Sequence, residues 1–193
     1  YENENIPHVE YAENDATIIK QYLIETLGYR PGNIKFKINL DNNGFNDIFG
    51  DEKNHKGWLY KHVKQDKTQD VFIYYSGHGA PGLTDKQPYF LPVNCNNLKT
   101  LQFNSYLMDT FINNLSKIQA RSITIVVDAC FSGLNIEGLK GFTPKVIDLK
   151  KQLSNGAYFS SSKIDEYSIL YHEKQHGLFT YYFLKAIHNR SGD

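Results

Sequence analysis

A histidine and a cysteine, each in a glycine-bearing loop just after an apolar run, are the residues of this chain best suited to covalent chemistry. His78 lies in YYSGHG (74–79), at the end of the run DVFIYY (70–75), and Cys130 lies in ACFSG (129–133), directly after SITIVVD (122–128). A thiol becomes an effective nucleophile when a nearby imidazole favours its thiolate, and the same imidazole can then protonate a departing amine. Gly77 and Gly79 allow close backbone approach to a substrate, and the N–H groups of Gly79 and Cys130 are candidates to hold a developing oxyanion. Taken singly, a cysteine at the end of an apolar strand is a buried, inert residue and an isolated histidine is structural. Cys95 has only that reading. Two chemically complementary residues at two strand ends point instead to a cysteine hydrolase.

For those loops to meet, the strands that carry them must share an edge. Strand and helix signals alternate along the chain, which predicts a mostly parallel sheet covered by helices, and in such sheets the loops leaving the carboxyl ends of the strands build the ligand site. Ala12, Ala16, Ile19, Leu23 and Leu27 fall at helical spacing and stop at Gly28. IKFKINL (34–40) alternates as a strand, 44–51 reads as a polar loop, and a helix is expected near 52–64. A hairpin arm follows at YFLPVN (89–94) and a helix at 104–118. SITIVVD is apolar on both faces and so belongs at the sheet centre. GAYFSS (156–161) reads as a further strand, and the final helix, from about 177 to 188, is expected to bury Leu178, Phe179, Tyr182, Phe183 and Ala186.

The chain has 193 residues, 40% of them hydrophobic, enough for one domain with a real core and no second-domain linker. Lys plus Arg and Asp plus Glu number 21 each, so no polyanionic partner is expected, and nucleic acid and membrane are not predicted partners. Cys95 and Cys130 form no CxxC pair, which favours a reducing, cytoplasmic setting. The chain begins at Tyr1 without Met and is read as a piece of a longer protein.

YYSGHG with DACFSG, preceded by YAENDA (11–16) and followed by HGLFTYYFLKAI (176–187), resembles the caspase-like cysteine peptidases, especially the bacterial caspase-homologue, metacaspase and paracaspase branch. The likeness covers nearly the whole chain. It implies a three-layer sandwich, a mostly parallel sheet flanked by helices, with a first strand before Tyr1 and a last strand after the final helix missing from the chain. It also implies His78 as general base and acid, Cys130 as nucleophile, Gly79 and Cys130 as oxyanion donors, and no required third catalytic residue. In the metacaspase and paracaspase branch, acids matching Asp15 and Asp128 hold an Arg or Lys before the scissile bond. A planar guanidinium can meet two carboxylates at once, which favours Arg.

By residue type alone, Asp15 has a sufficient role as a helix N-terminal carboxylate, whereas Asp128 ends so apolar a strand that it needs a partner. Asp165 or Glu166 could add a third acid, or form an ordinary solvated pair. Lys140, Lys145, Lys150 and Lys151 follow the nucleophile in 133–152, where self-cleavage and a plain solvated loop are equal readings. No cofactor is expected, some relatives need calcium, and a regulatory domain or partner is expected outside the chain. Two rival functions remain. HEKQH (172–176) fits HExxH, in which His172 and His176 would hold zinc and Glu173 would activate water, but Gly177 interrupts the helix and Tyr182 stands where an extended motif needs His. Only His188 or Asp193 remains as a later third ligand. The other rival is a catalytically silent interaction module of the same fold.

Overall fold

The computed structural model describes residues 6–131, 153–161 and 169–188. Its centre is strand β5 (Ser122–Asp128), flanked by β1 (Asp70–Ser76) and β6 (Gly156–Ser160), all parallel in the order β1-β5-β6. Ile123, Ile125, Val126 and Val127 are completely buried, as a strand apolar on both faces requires. Register between β1 and β5 runs from Asp70 opposite Ser122 to Ser76 opposite Asp128. At the amino-terminal end Arg121 forks onto both oxygens of Asp70, which also accepts from Ser122 Oγ at 2.7 Å. These donors pull the Asp70 carboxyl down to about 2. The cluster is too exposed to contribute much energy, but it fixes which residues stand opposite one another.

Helix α1 (Ala12–Glu25) packs on β1, burying Ile19 and Leu23, and its end is marked by Gly28 at φ 71°, as the sequence predicted. Three expectations fail locally. Residues 44–49 of the expected 44–51 loop belong to helix α2 (Asn42–Phe49), because the Asp41 carboxylate caps Gly44 N–H at 2.7 Å and Phe45 then anchors the core. The helix expected over 52–64 shortens to α3 (Trp58–His62). Residues 34–40 keep their alternation, with Ile34, Phe36 and Leu40 half-buried, but join no ladder among the described residues. An apolar cavity of about 410 Å³ has walls from both this extended run and β1.

A second, antiparallel sheet is formed by β2 (Gly79–Pro81), β3 (Pro88–Phe90) and β4 (Tyr106–Leu107), placed between a short helix α4 (Leu101–Asn104) and α5 (Met108–Ser116). The helix expected at 104–118 is thus interrupted at its start. Cys95 sits fully buried beneath this sheet, with Ser105 Oγ 3.6 Å from its sulfur, and burial pushes its thiol up. A two-residue hairpin, β7 (Leu170–Tyr171) with β8 (His176–Gly177), leads into helix α6 (Leu178–His188). In α6 the buried residue is Thr180, while Tyr182 is 52% exposed and Ala186 is exposed, so the expected apolar inner face is corrected. No helix of the described residues is long and apolar enough to cross a membrane.

Candidate active site

The in-register pairing of β1 with β5 determines where the two loops emerge. Ser76 faces Asp128, and Gly77 N–H continues the ladder by donating to Asp128 O at 3.3 Å. His78 and Cys130 each stand two residues beyond that facing pair, on neighbouring strands whose axes lie about 4.8 Å apart. They therefore leave the same sheet edge at the same level. His78 is 9% exposed and Cys130 7%.

A backbone carbonyl against the His78 ring settles its tautomer. Nε2 lies 2.7 Å from Pro7 O. A carbonyl can only accept, so Nε2 carries the proton and the neutral ring keeps its lone pair on Nδ1. Burial pushes the His78 pKa below the usual imidazole value, the Pro7 carbonyl opposes that by favouring the charged form, and His8 adds to the lowering. The backbone is fixed as well, since His78 O accepts from Tyr75 OH at 2.8 Å and from Leu91 N–H at 3.0 Å.

That second bond also orients Gly79. Bonded and non-bonded pairs alternate in an antiparallel ladder. Leu91 donates to His78, so the next pair, Gly79 with Phe90, is non-bonded, and the Gly79 N–H points away from β3. A Cβ at Gly79 would overlap the Phe131 ring, which is buried and packs edge-on against Phe90 at 5.3 Å. Gly79→Ala is expected to move Phe131, and Cys130 with it, costing about 1–3 kcal/mol by overpacking. Thermal melts and peptidase assays should both fall. A variant with unchanged melting and unchanged turnover would show that the ring has room to yield.

The two acids, 113 positions apart in sequence, meet at one point. Asp15, on the first turns of α1, is 1% exposed, and Asp128, the last residue of β5, is 6% exposed. Gly177 fits between them: its N–H donates to Asp15 Oδ2 at 2.9 Å, and a Cβ there would stand 3.1 Å from that oxygen and overlap Asp128 Oδ2. Asp15 Oδ1 receives His176 Nδ1 at 2.6 Å. Asp128 Oδ2 accepts from Thr180 Oγ at 2.7 Å, and that oxygen in turn accepts from Tyr74 OH at 2.7 Å. Burial raises the Asp15 pKa, the Gly177 and His176 bonds draw it back, and Asp128 raises it further. Tyr74 is held well above its usual value by burial and then by both carboxylates, so its phenol stays a donor. Two close, buried carboxylates make a site that favours a cation.

The sequence reading named Asp15 and Asp128 but not the residues that tie them in place. His176, Gly177 and Thr180 stand in HGLFTYYFLKAI and Tyr74 in YYSGHG, but nothing local ties them to the acids, because their partners lie up to 162 positions away. Pro7 was missed for the same reason. Asp165, Glu166, Asp193 and the stretch 133–152, with Lys140, Lys145, Lys150 and Lys151, lie outside the described residues.

The zinc alternative is corrected by geometry. His172–Lys174 is a single 3-10 turn, Gln175 is left-handed at φ 57°, and His176 is already in β8. His172 and His176 therefore do not share a helical face. They turn instead to Tyr11 OH at 3.1 Å and to Asp15. Among the described residues, no group of three or more His, Cys, Asp or Glu side chains is gathered as a metal site.

No curated protein matches the chain. A family model described as the caspase domain matches residues 2–193, essentially the whole chain, in agreement with the parallel sheet, its helices and the paired loops at its carboxyl edge. The chain belongs to the caspase-domain family of peptidases.

Proposed function

We propose that this chain is a cysteine endopeptidase in which His78 and Cys130 act as a dyad and Asp15 with Asp128 select Arg or Lys before the scissile bond. The observation that carries the reading is the register of β1 on β5, which sets His78 and Cys130 at one level on adjacent strands. His78 Nδ1 takes the Cys130 thiol proton, and the thiolate attacks the peptide carbonyl carbon. The carbonyl oxygen gains the negative charge and is held by the N–H groups of Gly79 and Cys130, each such donor being worth about 3 kcal/mol. Collapse breaks the C–N bond, and the departing amine takes the proton from His78. Water, giving a proton to His78, then attacks the thioester carbonyl; the C–S bond breaks, the acid leaves, and His78 returns the proton to sulfur.

The Pro7 carbonyl serves as a positioning group. It fixes Nε2 as the protonated nitrogen, so that Nδ1 is the basic one. The lowered His78 pKa has a kinetic consequence of definite sign. Because the neutral ring is the working form, the acid limb of kcat/KM is expected below the ordinary imidazole value of about 6.5. A limb above that value would contradict the buried, neutral His78.

The lysines at 140, 145, 150 and 151 would make the stretch after the nucleophile a substrate of the enzyme itself. The test of the whole reading is a panel of fluorogenic amides with Arg, Lys, Asp or Ala before the bond, run with and without calcium, iodoacetamide and a zinc chelator. Cleavage after Arg or Lys that is lost on alkylation and survives chelation is expected. Cleavage after Asp would overturn the pocket, and an alkylation-resistant, chelator-sensitive activity would overturn the dyad.

A further inference from the structure

The carboxylate that the proposed specificity places under a substrate's basic side chain is already engaged. Asp15 Oδ1 lies 2.6 Å from His176 Nδ1, and Asp15 is almost sealed from solvent, whereas the His176 side chain keeps 22% of its surface exposed. The imidazole thus stands between Asp15 and the outside. It joins a backbone amide from Gly177 and a hydroxyl from Thr180 among the donors on this buried pair of acids. A substrate guanidinium approaching Asp15 Oδ1 meets an acceptor that the imidazole already uses.

We infer that His176 is the resident occupant of the basic-residue pocket, a specificity-determining residue that the arginine or lysine of a substrate displaces from Asp15. The inference rests on the function proposed above. In the empty site the His176 imidazole occupies Asp15 Oδ1, and on binding the guanidinium takes that place. The displaced imidazole swings toward solvent, away from the incoming cation. His176 and a basic ligand therefore compete for one carboxylate.

The groups that surround His176 agree with an exchange confined to this contact. From α1 it meets Asp15, with Asn14 beside it in the same shallow recess, and Asp128 from β5 acts on it through Asp15. From α6 it meets the Tyr181 ring, at 6.4 Å between centroids, and from β7 its register partner is Tyr171. Lys174, on its own turn, lines that recess. His172 is engaged elsewhere, on Tyr11 OH with Glu10 at 3.9 Å. The left-handed Gln175 joins the turn to β8, so the imidazole can leave Asp15 by side-chain rotation while the Gly177 N–H stays in place.

The test measures binding, not turnover, on Cys130→Ala protein, using a blocked tetrapeptide with one arginine and its alanine counterpart. His176→Ala, which vacates Asp15 Oδ1, should bind the arginine peptide about 5- to 10-fold more tightly by calorimetry, with affinity for the alanine peptide unchanged. As a check that needs no variant, the His176 imidazole resonances should shift when the arginine peptide is added and stay in place with the alanine one. Equal arginine-peptide affinity in both proteins, or imidazole resonances indifferent to peptide, would overturn the role of His176 while leaving the pocket intact. If neither protein prefers the arginine peptide to the alanine one, the pocket assignment itself fails, and this inference with it.

Discussion

Cys130→Ala is expected to lower cleavage of an arginyl amide by at least about 10⁴-fold, with the melting temperature within a few degrees of wild type. Cys130 is buried at the end of the central strand, so replacing it removes only one sulfur from the core, worth about 1 kcal/mol. Activity and stability should therefore separate widely. His78→Ala should cost a similar factor, because a thiol without its base, or a base without its thiol, completes no step. The double variant should be scarcely worse than either single one, since residues acting as a unit lose their whole effect at the first removal. Incubation of wild type beside Cys130→Ala also tests self-processing: bands present only in wild type are expected, and identical patterns would sink self-cleavage. Independent, multiplicative losses in the double variant would mean that the two residues do not share one reaction.

The second large effect is on selectivity, and its sign differs from the effect on stability. Asp128→Asn keeps an oxygen for Thr180 but removes one of two buried charges at Gly177. Losing one partner of a buried charge contact costs about 2–5 kcal/mol in binding, so KM for an arginyl substrate should rise at least 30-fold or so. The same change should stabilise the empty protein at neutral pH. The raised Asp15 pKa means that the folded state holds its proton to higher pH than the unfolded chain does, so the contribution of Asp15 to stability falls as pH rises across that interval. Neutralising Asp128 removes one cause of the raising. Kinetics on Arg and Ala peptides, with melts over pH, check both halves. Asp165→Asn should do much less, and equal effects from the two variants would mean that the pocket lies elsewhere.

The parts of the fold legible in the sequence were those where one local pattern dominates. SITIVVD could only be central, because no solvent-facing strand is apolar at every second position and between. The reading failed where local signals competed. Asn42, Asn43 and Gly44 look like a loop, yet one capping carboxylate at Asp41 and an apolar Phe45 make a helix of them. IKFKINL has the alternation of a strand, but a strand is defined by its bonded neighbour, which is not local information. In α6 apolar residues run nearly all the way round, so periodicity could not show that Thr180, not Tyr182, points inward.

The site divides in the same way. His78 and Cys130 stand in glycine-marked loops and were legible as a pair, and Asp15 and Asp128 came from the family resemblance. Pro7, Tyr74, His176 and Thr180 were not legible, since each acquires its role from a partner on another element.

The ties around the acids have one more consequence, for chain integrity. Beyond residue 152 the chain returns to the body through five parallel pairs between β5 and β6, then through His176 and Gly177 on Asp15, and Thr180 on Asp128. None of these depends on a continuous backbone between 132 and 152. A chain severed there would stay assembled as two polypeptides with its acidic pocket intact. Denaturing gels and size-exclusion profiles of the same nicked sample would then disagree about its size.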